Sequence, residues 1–572
     1  MAINYTFALS KILKLFGAEA AFGVTGGYIL SQWEALKLTG FQVIDCSHEE
    51  GGTFSASENS ILTDKITVSF STAGPGFYHA VPGLRVAKLD GGKIVHFAGI
   101  TSYEHTGKWE LQETTVDNVM AFKNKNDDGI FDEVIIIKNQ KDVDRVIDFL
   151  KKNHKNPCGF VLGIFMMNPV QRMIYENFEA TEKELMAYLA DINTASVETS
   201  DSDQLDSYAR QIAEEFKQGP ALIWNGFGTR HASEALTRLA ESVQAKVMST
   251  PRGKGVFPES HPLYVGSTGM GSDALAIRKA VRDERLHSML ILGSRLGEFS
   301  SSYIQEGFKA GRKYYYVGLQ TEKVKNNLPP DTICIQAEIG RFLQMILSHL
   351  DPAYPYPGFS KEVKDIQPEV VDTTSRPHPR EVMKLIQKIA VEQYHCVIAG
   401  EAGNAFAWTS RYLMMDTPNC YRVSTAYGSM AHYACGLVGL AASGRQALGV
   451  IGDGSMIMVN EVITGVKYNL PAIWLVLNDG CYNMIRQGLP IVGITPLDSS
   501  FPAPDYAGYG RALGADGYTA ATLEELEKVL QEACANRRPA VIDVQIDPEP
   551  IAPVGERIER LKEMAQQKKE PK

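Results

Sequence analysis

Two polar turns that follow apolar segments contain the residue types that hold a metal-bound diphosphate. Gly452-Asp453-Gly454 follows the apolar residues 447–451, and Asn478-Asp479-Gly480 follows the apolar residues 472–477. We expect both apolar segments to be buried parallel strands, whose carboxyl ends bind ligands in open α/β sheets. Asp453 and an oxygen of the second turn can then share one Mg²⁺, which takes few protein oxygens and completes its shell with water and phosphate.

The segment between the two turns predicts the crossover helix that makes these strands parallel. Its apolar residues recur at the spacing of one helix face: Val459, Val462, Ile463 and Val466. Gly452 and Gly454 let the backbone turn tightly beside an anion, and the amides of Gly454 and Ser455 open a helix whose N-terminus favours negative charge. Because surface turns also use Gly-Asp-Gly, the prediction depends on the crossover and the second turn together.

The composition excludes some partners and leaves the substrate open. Of the 572 residues, 44% are hydrophobic and 22% are charged, which is typical of a soluble globular protein. The net charge of -10 and the isoelectric point near 5.7 argue against nucleic acid or an anionic membrane as a partner. The eight cysteines show no zinc-binding spacing and favour a reducing compartment. With no signal segment and no apolar run long enough to span a bilayer, we expect a cytoplasmic protein.

The length and the composition shifts predict an α/β protein of three doubly wound parallel-sheet domains. We expect these domains at residues 1–175, 195–350 and 380–550, with a proline-rich linker at 351–379 and a charged tail at 551–572. The polar residues 198–203 predict a further linker, and the amphipathic residues 7–15 predict the first helix. The predicted strands are residues 41–45, 66–70, 94–97, 134–137, 221–224, 245–248, 288–292, 313–317, 447–451, 472–477 and 540–546.

Several separated motifs occur in one order along nearly the whole chain. In the first block they are Ser47-His48-Glu49-Glu50-Gly51, Thr72-Ala73-Gly74-Pro75-Gly76 and Leu111-Gln112-Glu113; in the middle block, residues 252–258 and Gly293-Ser294-Arg295; in the third block, Gly428-Ser429-Met430 and Val541-Ile542-Asp543-Val544. In this set and order the chain resembles the thiamine diphosphate (ThDP) dependent decarboxylase and carboligase superfamily. The pattern is closest to acetolactate (acetohydroxyacid) synthases.

The resemblance implies that the first domain binds the aminopyrimidine of ThDP and that the third binds its diphosphate. In the superfamily a glutamate hydrogen-bonds the pyrimidine N1′ and favours the imino tautomer, which takes the thiazolium C2 proton; Glu49 stands at that position. Pro75 belongs to the implied glycine turn facing the cofactor, Met430 is the implied wedge between the rings, and the Gly428 carbonyl accepts from the 4′-amino group. A solvated carboxylate at a helix start and an ordinary core methionine are the competing interpretations.

The resemblance also implies residues for the diphosphate and the metal. Gly403 and Asn404 match a place where family members present polar side chains to the diphosphate, although Ala405 replaces the usual histidine. The implied metal ligands are Asp453, Asp479 and the carbonyl of Cys481. Because the family usually has asparagine at the second of these positions, and the intervening segment is one residue shorter than expected, Asn478 remains a rival ligand.

Two residues near the glycine turn could act on the substrate. His79 stands where asparagine is common, and a structural histidine is the competing interpretation. Gln112 stands where synthases carry a glutamine that is thought to hydrogen-bond a substrate carbonyl, and a surface polar residue is the competing interpretation. No two histidines are adjacent in the sequence, whereas pyruvate decarboxylase relatives use a His-His pair to protonate the carbanion. That difference favours carboligation over simple aldehyde release.

We therefore expect a ThDP- and Mg²⁺-dependent enzyme that decarboxylates a 2-oxo acid, with pyruvate as the expected donor, and ligates the acyl carbanion equivalent to a carbonyl acceptor. The alternatives are a non-oxidative 2-oxo acid decarboxylase that releases an aldehyde and a catalytically silent ThDP-binding subunit. The resemblance implies a homodimer or homotetramer whose sites pair the first block of one chain with the third of another. Residues 102–106 and 487–504 are the expected selectors of the acceptor. Whether the middle block binds FAD or ADP is open, and a scaffold role is favoured.

Overall fold

Parallel β-sheets form the centre of three successive domains. The computed structural model describes residues 3–123, 129–194, 202–301, 304, 307–359, 376–495 and 497–554. Each domain contains one six-stranded sheet in which all neighbouring strands are parallel. Because helices cover the sheets, their central strands are buried and apolar. The predicted fold class, three doubly wound parallel-sheet α/β domains, is confirmed.

The first domain carries the first group of predicted site residues. In spatial order its strands are Gln42–Asp45, Ala20–Gly23, Thr67–Ser71, Lys93–Gly99, Phe160–Met166 and Glu133–Ile137. Its helices are Tyr5–Leu15, Leu30–Leu38, Glu49–Thr63, Pro75–Asp90, Val116–Met120, Gln140–Asn153, Asn168–Gln171 and Phe178–Thr194. A short antiparallel pair, Ile3–Asn4 with Ile174–Tyr175, ties the start of the domain to its end.

The middle domain has a second six-stranded sheet. In spatial order its strands are Tyr264–Ser267, Lys246–Ser249, Ala221–Asn225, Ser288–Leu292, Lys313–Gly318 and Ile333–Gln336. Its helices are Ser202–Gln218, Ser233–Val243, Ala274–Arg282, Glu298–Ser301, Thr321–Val324 and Ile339–His349, with short 3₁₀ turns at Phe227–Thr229, Pro251–Gly253 and Lys325–Asn327.

The third domain carries the two polar turns. In spatial order its strands are Tyr421–Arg422, Val397–Gly400, Ala447–Gly452, Ala472–Asn478, Ala540–Gln545 and Asp516–Ala520. Its helices are Pro379–Ile386, Asn404–Tyr412, His432–Ala442, Asp453–Met456, Val462–Lys467, Asn483–Gly488, Tyr506–Ala512 and Leu523–Asn536, with a π-helical turn at Gln387–Gln393 and a 3₁₀ turn at Pro490–Val492. Among the described residues, no helix has both the length and the apolar character needed to cross a bilayer.

The prediction of one crossover helix that includes Val459 is wrong in its length. Two separate helices, Asp453–Met456 and Val462–Lys467, replace it, and Val459 lies in neither. Val459 packs instead against a small cluster formed by Phe54 and Val86 of the first domain and Cys435 of the third, and Ile463 is 42% exposed. A neighbouring domain therefore takes part of the apolar face that the spacing assigns to one continuous helix.

Other boundary predictions fall partly outside the described residues. Residues 198–201 of the predicted linker 198–203 lie outside the described residues. Its last two residues begin the helix Ser202–Gln218, so the prediction of a linker is wrong for these two residues. Residues 360–375 of the predicted linker 351–379 and residues 555–572 of the predicted tail also lie outside them. Pro379, placed in the linker, is the first residue of a helix, which is a common position for proline.

Buried helix packing joins the first domain to the third. The helix Glu49–Thr63 lies so close to His432–Ala442 that a Cβ on Gly439 would be 1.9 Å from the Ser55 carbonyl oxygen. Asn59 Nδ2 donates to the Gly439 carbonyl at 3.0 Å. Further along, the buried Glu58 accepts from Arg422 Nε at 2.8 Å and lies 3.0 Å from His432 Nε2. The helix that begins with Glu49 is therefore fixed against the third domain of its own chain.

Candidate active site

Glu49 begins the helix Glu49–Thr63 and lies against the predicted glycine turn. His48 caps this helix, because its Nδ1 accepts from the Glu50 amide at 3.2 Å. The Glu49 side chain is only 13% exposed. A Cβ on Gly76 would lie 3.0 Å from Glu49 Oε1, so the glycine leaves room for the carboxylate at this turn.

The fold pairs two histidines beside Glu49 that are distant in the sequence. The rings of His48 and His79 stack with their centroids 4.9 Å apart and an angle of 26° between them. His79 Nδ1 lies 3.5 Å from Glu49 Oε2, and the His79 side chain is 52% exposed. Burial lowers the pKa of His48, and the Glu49 carboxylate opposes that shift. Adjacent positions in the sequence could not indicate this pair, because His48 caps one helix and His79 lies on another, and the fold brings the two together.

Gln112 lies over the same glycine turn. A Cβ on Gly74 would be 2.9 Å from the Gln112 Cα, and Thr72 Oγ1 donates to Gln112 Oε1 at 3.5 Å. Gln112 has a φ of 62°, a left-handed conformation that non-glycine residues adopt at a cost. Pro75 follows Gly74 as the first residue of the helix Pro75–Asp90. The structure thus brings together the first-domain group of predicted residues, Glu49, Pro75, His79 and Gln112.

A second group forms where the strand order of the third sheet reverses. The strands Val397–Gly400 and Ala447–Gly452 are neighbours there, while Tyr421–Arg422, next in sequence after the first of them, lies on its other side. The loops that leave these two neighbours therefore diverge and open a crevice at their carboxyl ends. The third-domain group lies around it: Gly403, Asn404, Gly428, Met430, Gly452, Asp453, Gly454, Ser455, Asp479 and Cys481.

Asp453 is a buried carboxylate held by backbone amides. Its Oδ1 accepts from the Gly454 amide at 2.7 Å, and its Oδ2 accepts from the amides of Asp479 at 3.2 Å and Gly480 at 2.7 Å. Burial, and then the neighbouring Asp479 carboxylate, raise the pKa of Asp453 to about 7. Burial also raises the pKa of Asp479. Two carboxylates that oppose each other's ionisation are suited to share a divalent cation.

The second polar turn directs its two candidate side chains to different places. Asn478 Nδ2 donates to Asp543 Oδ1 at 2.9 Å, whereas Asp479 Oδ2 accepts from Asn483 Nδ2 at 2.6 Å. The Cys481 carbonyl accepts from the Asn483 amide at 2.8 Å. Asn478 is thus engaged with a neighbouring strand, while the charge of Asp479 acts directly on Asp453.

Met430 lies above the Gly-Asp-Gly turn. A Cβ on Gly454 would be 3.6 Å from Met430 Cε and 2.6 Å from the Tyr482 ring, so only glycine fits between them. Gly428, two residues before Met430, has a φ of 66°, which glycine adopts without strain. Ser455 is buried within the short helix that Asp453 begins.

Asn404 places an amide with few hydrogen bonds beside the crevice. It is the first residue of the helix Asn404–Tyr412, whose N-terminus faces the crevice after Gly403, which has a φ of 101°. Asn404 Oδ1 is buried without a hydrogen-bond partner, and its Nδ2 donates only a long 3.5 Å bond to Gln487. Helix N-termini and amide N–H groups bind phosphate oxygens, so Nδ2 and the helix N-terminus suit a phosphate, whereas Oδ1, an acceptor, suits a cation. Together with the two aspartates, the donor set fits a cation and its diphosphate.

Glu461 joins the two groups and was missed by the sequence analysis. Its Oε2 accepts from the Ser47 amide at 2.9 Å and its Oε1 from the His48 amide at 3.1 Å, immediately before Glu49. Among the described residues, no hydrogen bond or ion pair connects the first-domain group directly to the third-domain group. A fully buried glutamate seven residues after Gly454 was the available signal, because a charged residue inside an apolar segment needs partners.

Comparison with known proteins assigns this pair of groups to a family. Residues 3–121 match "Thiamine pyrophosphate enzyme, N-terminal TPP binding domain", residues 215–346 match its central domain, and residues 401–544 match its "C-terminal TPP binding domain". Thiamine pyrophosphate is ThDP under another name.

Three relatives align along almost the full chain. The "Putative thiamine pyrophosphate-containing protein YdaP" of Bacillus subtilis (strain 168) is 25% identical over 96% of this chain and 92% of that protein. The pyruvate oxidase of Lactiplantibacillus plantarum is 23% identical over 94% and 88%, and an acetolactate synthase large subunit of Parasynechococcus marenigrum is 24% identical over 95% and 88%. With all three domains matched in order, this chain belongs to the thiamine pyrophosphate enzymes.

Proposed function

We propose that this ThDP-dependent enzyme decarboxylates a small 2-oxo acid, with pyruvate as the first candidate, and ligates the resulting acyl unit to a carbonyl acceptor. The observation that carries the proposal is the position of Glu49, a largely buried carboxylate at a glycine turn with Gln112 beside it. A cytoplasmic location agrees with the cysteines, since all eight are free thiols.

The first-domain group supplies a proton acceptor and a hydrogen-bond donor. When bound, ThDP provides the electron sink for the loss of carbon dioxide. Glu49 holds a proton at the pyrimidine ring nitrogen, as its position beside the glycine turn allows. Gln112 has an amide next to that turn with which to orient the substrate carbonyl. Exclusion of water by the buried turn strengthens both interactions.

The third-domain group binds the charged end of the cofactor. Asp453, Asp479 and the Cys481 carbonyl hold Mg²⁺, and Asn404 with the N-terminus of its helix holds phosphate oxygens. Met430 is the apolar support above the turn. The support for these roles is the raised pKa of Asp453, which a bound cation would relieve, and the weakly engaged Asn404 Nδ2, which can donate to a phosphate oxygen.

Exposed apolar residues beside each group support a homodimer or homotetramer with shared sites. Trp109 and Leu111, next to Gln112, are 94% and 84% exposed. Met458 and Ile485, near the Gly-Asp-Gly turn, are 55% and 56% exposed. Since such residues mark interaction surfaces, a second copy of the chain can cover them and place its own first-domain group over this third-domain group.

The paired histidines favour one alternative, a decarboxylase that releases an aldehyde. His79 is half exposed and touches Glu49, so it can deliver a solvent proton beside the reacting group. Carboligation needs that proton to be withheld until the acceptor binds. The two functions therefore differ in whether His79 or an acceptor reaches the acyl unit first.

Product identity separates these functions. Purified enzyme with ThDP and Mg²⁺ is incubated with single 2-oxo acids and with pairs of a 2-oxo acid and an aldehyde, and the products are identified by mass. We expect a hydroxyketone or a 2-hydroxy-2-acyl acid. Free aldehyde alone would establish the decarboxylase instead. ThDP binding without consumption of any 2-oxo acid would establish a catalytically silent subunit.

A further inference from the structure

Three side chains at the starts of two neighbouring helices form a chelating set, of which the proposed reaction uses only Glu49. His48, Glu49 and His79 each offer a ligand atom, and these atoms lie within 4.8 Å of one another. We propose that they bind a divalent transition-metal ion of the zinc class, and that the bound ion inhibits the enzyme by occupying Glu49. The inhibitory half of this proposal rests on the proposed function of Glu49; the binding half does not.

The ligand atoms have defined roles in the metal-free protein. His79 Nδ1 lies 3.5 Å from Glu49 Oε2, so these two atoms already approach a common point. His48 Nδ1 accepts from the Glu50 amide, which places the ring proton on Nε2. For Nε2 to bind the ion, the ring proton must shift from Nε2 to Nδ1. Nδ1 can then no longer accept from the Glu50 amide, so the helix loses this cap. The site therefore binds less tightly than a preformed zinc centre, as suits reversible inhibition.

The donor set selects a different ion from the one expected at the aspartates. Two imidazoles and one carboxylate are zinc ligands, and a site with three protein ligands leaves positions open for water. Mg²⁺ prefers oxygen donors, which Asp453 and Asp479 provide. The N-termini of both helices disfavour a cation here, but the carboxylates of Glu49 and Glu50 offset that effect.

The two helices hold the ligands at fixed separation. Thr53 Oγ1, on the helix Glu49–Thr63, donates to the Ala80 carbonyl of Pro75–Asp90 at 3.0 Å. A Cβ on Gly83 would lie 2.2 Å from the same Thr53 oxygen, so the helices are in direct contact. Ligands carried by two rigid, contacting helices lose little freedom when an ion binds.

A Co²⁺ titration tests the binding half directly. The metal-free full-length chain is supplied with excess Mg²⁺, which saturates the aspartate site, and Co²⁺ is added without ThDP while its visible absorption is followed. We expect one histidine-ligated Co²⁺ per chain, displaced by Zn²⁺. His79→Asn should weaken its affinity by roughly tenfold or more. Asp453→Asn should leave this signal in place, because it affects only the other metal site.

A matched histidine variant makes the result specific. His287 Nε2 lies 2.6 Å from Glu215 Oε2, a histidine–carboxylate pair remote from the site, and His287→Asn should leave Co²⁺ binding unchanged. Equal Co²⁺ affinity in the wild type and His79→Asn, or an equal loss in His287→Asn, would overturn the site.

Competition by the cofactor tests the inhibitory half. We expect ThDP with Mg²⁺ to weaken Co²⁺ binding, because both need Glu49. If ThDP leaves His79-dependent Co²⁺ binding unaffected, the site stands and the inhibition is refuted. Because these readouts measure binding, they remain interpretable even if no 2-oxo acid is consumed.

Discussion

The two turn residues Asn478 and Asp479 show what residue types alone could and could not decide. Both carry oxygens that bind Mg²⁺, so the sequence left them as rivals. Side chains alternate between the two faces at the end of a strand, and consecutive residues therefore point to opposite sides. Asn478 points to Asp543 on the neighbouring strand, and Asp479 points toward the Asp453 side, which favours Asp479 as the ligand.

The pH dependence of stability should report the charge on Asp453. The pKa of this carboxyl is about 7 in the folded chain against 3.8 ordinarily, so the folded state binds the proton more tightly. Asp453 therefore makes its full contribution to the free energy of unfolding below pH 3.8, and this contribution is lost as the pH rises through about 7. In EDTA, thermal unfolding should show a loss on the order of 4 kcal/mol across that range. Saturating Mg²⁺ should remove most of this loss.

The comparison variant for this prediction is Asp453→Asn. It cannot ionise, so its midpoint of thermal unfolding should lack the Asp453 contribution to the pH dependence and should not respond to Mg²⁺. Other buried carboxyls, such as Glu401, also have raised pKa values, and the difference between wild type and variant isolates Asp453. Identical pH profiles of the two proteins in EDTA would contradict the assignment.

Glu49→Gln should preserve the fold and remove most activity. The substitution keeps the size of the side chain but cannot take up a proton, and a general acid–base group contributes about 10²–10⁴ in rate. We expect a loss of that order in kcat for 2-oxo acid consumption at saturating ThDP. Glu50→Gln, at the next position of the same helix, is the control and should lose far less. Near-normal turnover in Glu49→Gln would exclude the proposed role.

At the scale of elements, the sequence predicted long uninterrupted strands better than short or interrupted ones. The central strand Ala472–Asn478 is a continuous apolar run, which the pattern identifies directly. The edge strand Tyr421–Arg422 has two residues and exists only through its pairing with Val397–Gly400. Phe160–Met166, also missed, is interrupted at its centre by Gly163. Short or interrupted strands form through pairing with neighbouring strands, and the local spacing of apolar residues does not encode that pairing.

Contacts between domains account for what the sequence could not supply about the site. Glu461 is 414 and 413 residues along the chain from the two amides that it accepts from in the first domain. No local sequence pattern connects Glu461 with these amides. The crossover helix is interrupted for the same reason, because Val459 packs against residues of the first domain. By contrast, the Gly-Asp-Gly turn was predicted from the local strand before it, and Glu49 and the other glycine turn were predicted from the family resemblance.

Gly51→Ala should destabilise the protein through this contact between domains. A Cβ at position 51 would lie 2.1 Å from Glu461 Oε1, so the methyl group must displace the carboxylate that holds the loop before Glu49. We expect a cost of about 1–3 kcal/mol, measured as a lower midpoint of thermal unfolding. The cost should shrink in a Glu461→Ala background, because the clash is then absent.

Gly488→Ala is the matched helical control for that experiment. A Cβ there meets nothing within 4 Å, so alanine should be neutral or stabilising by up to about 1 kcal/mol. If Gly51→Ala is no more destabilising than Gly488→Ala, the close approach of Glu461 does not occur in solution.

At the scale of the whole molecule, one chain provides both groups of site residues, on two different domains. Glu461 links the residues just before Glu49 to the third domain of the same chain, and among the described residues no hydrogen bond or ion pair joins the two groups directly. Exposed Trp109 and Leu111 beside one group, and Met458 beside the other, leave surfaces for a second copy. The motifs implied sites shared between chains through the family resemblance, whereas the Glu461 contact depends on how the domains pack.

Complementation between two inactive variants tests whether two chains share each site. Glu49→Gln and Asp453→Asn each inactivate every site in their own homodimers. If Glu49 of one chain works with Asp453 of the other, a mixed dimer contains one doubly altered site and one intact site. After random exchange of subunits, half of the dimers are mixed, so activity should return to about one quarter of the wild-type value. If both residues of a site come from one chain, every site in the mixture carries one substitution and no activity returns.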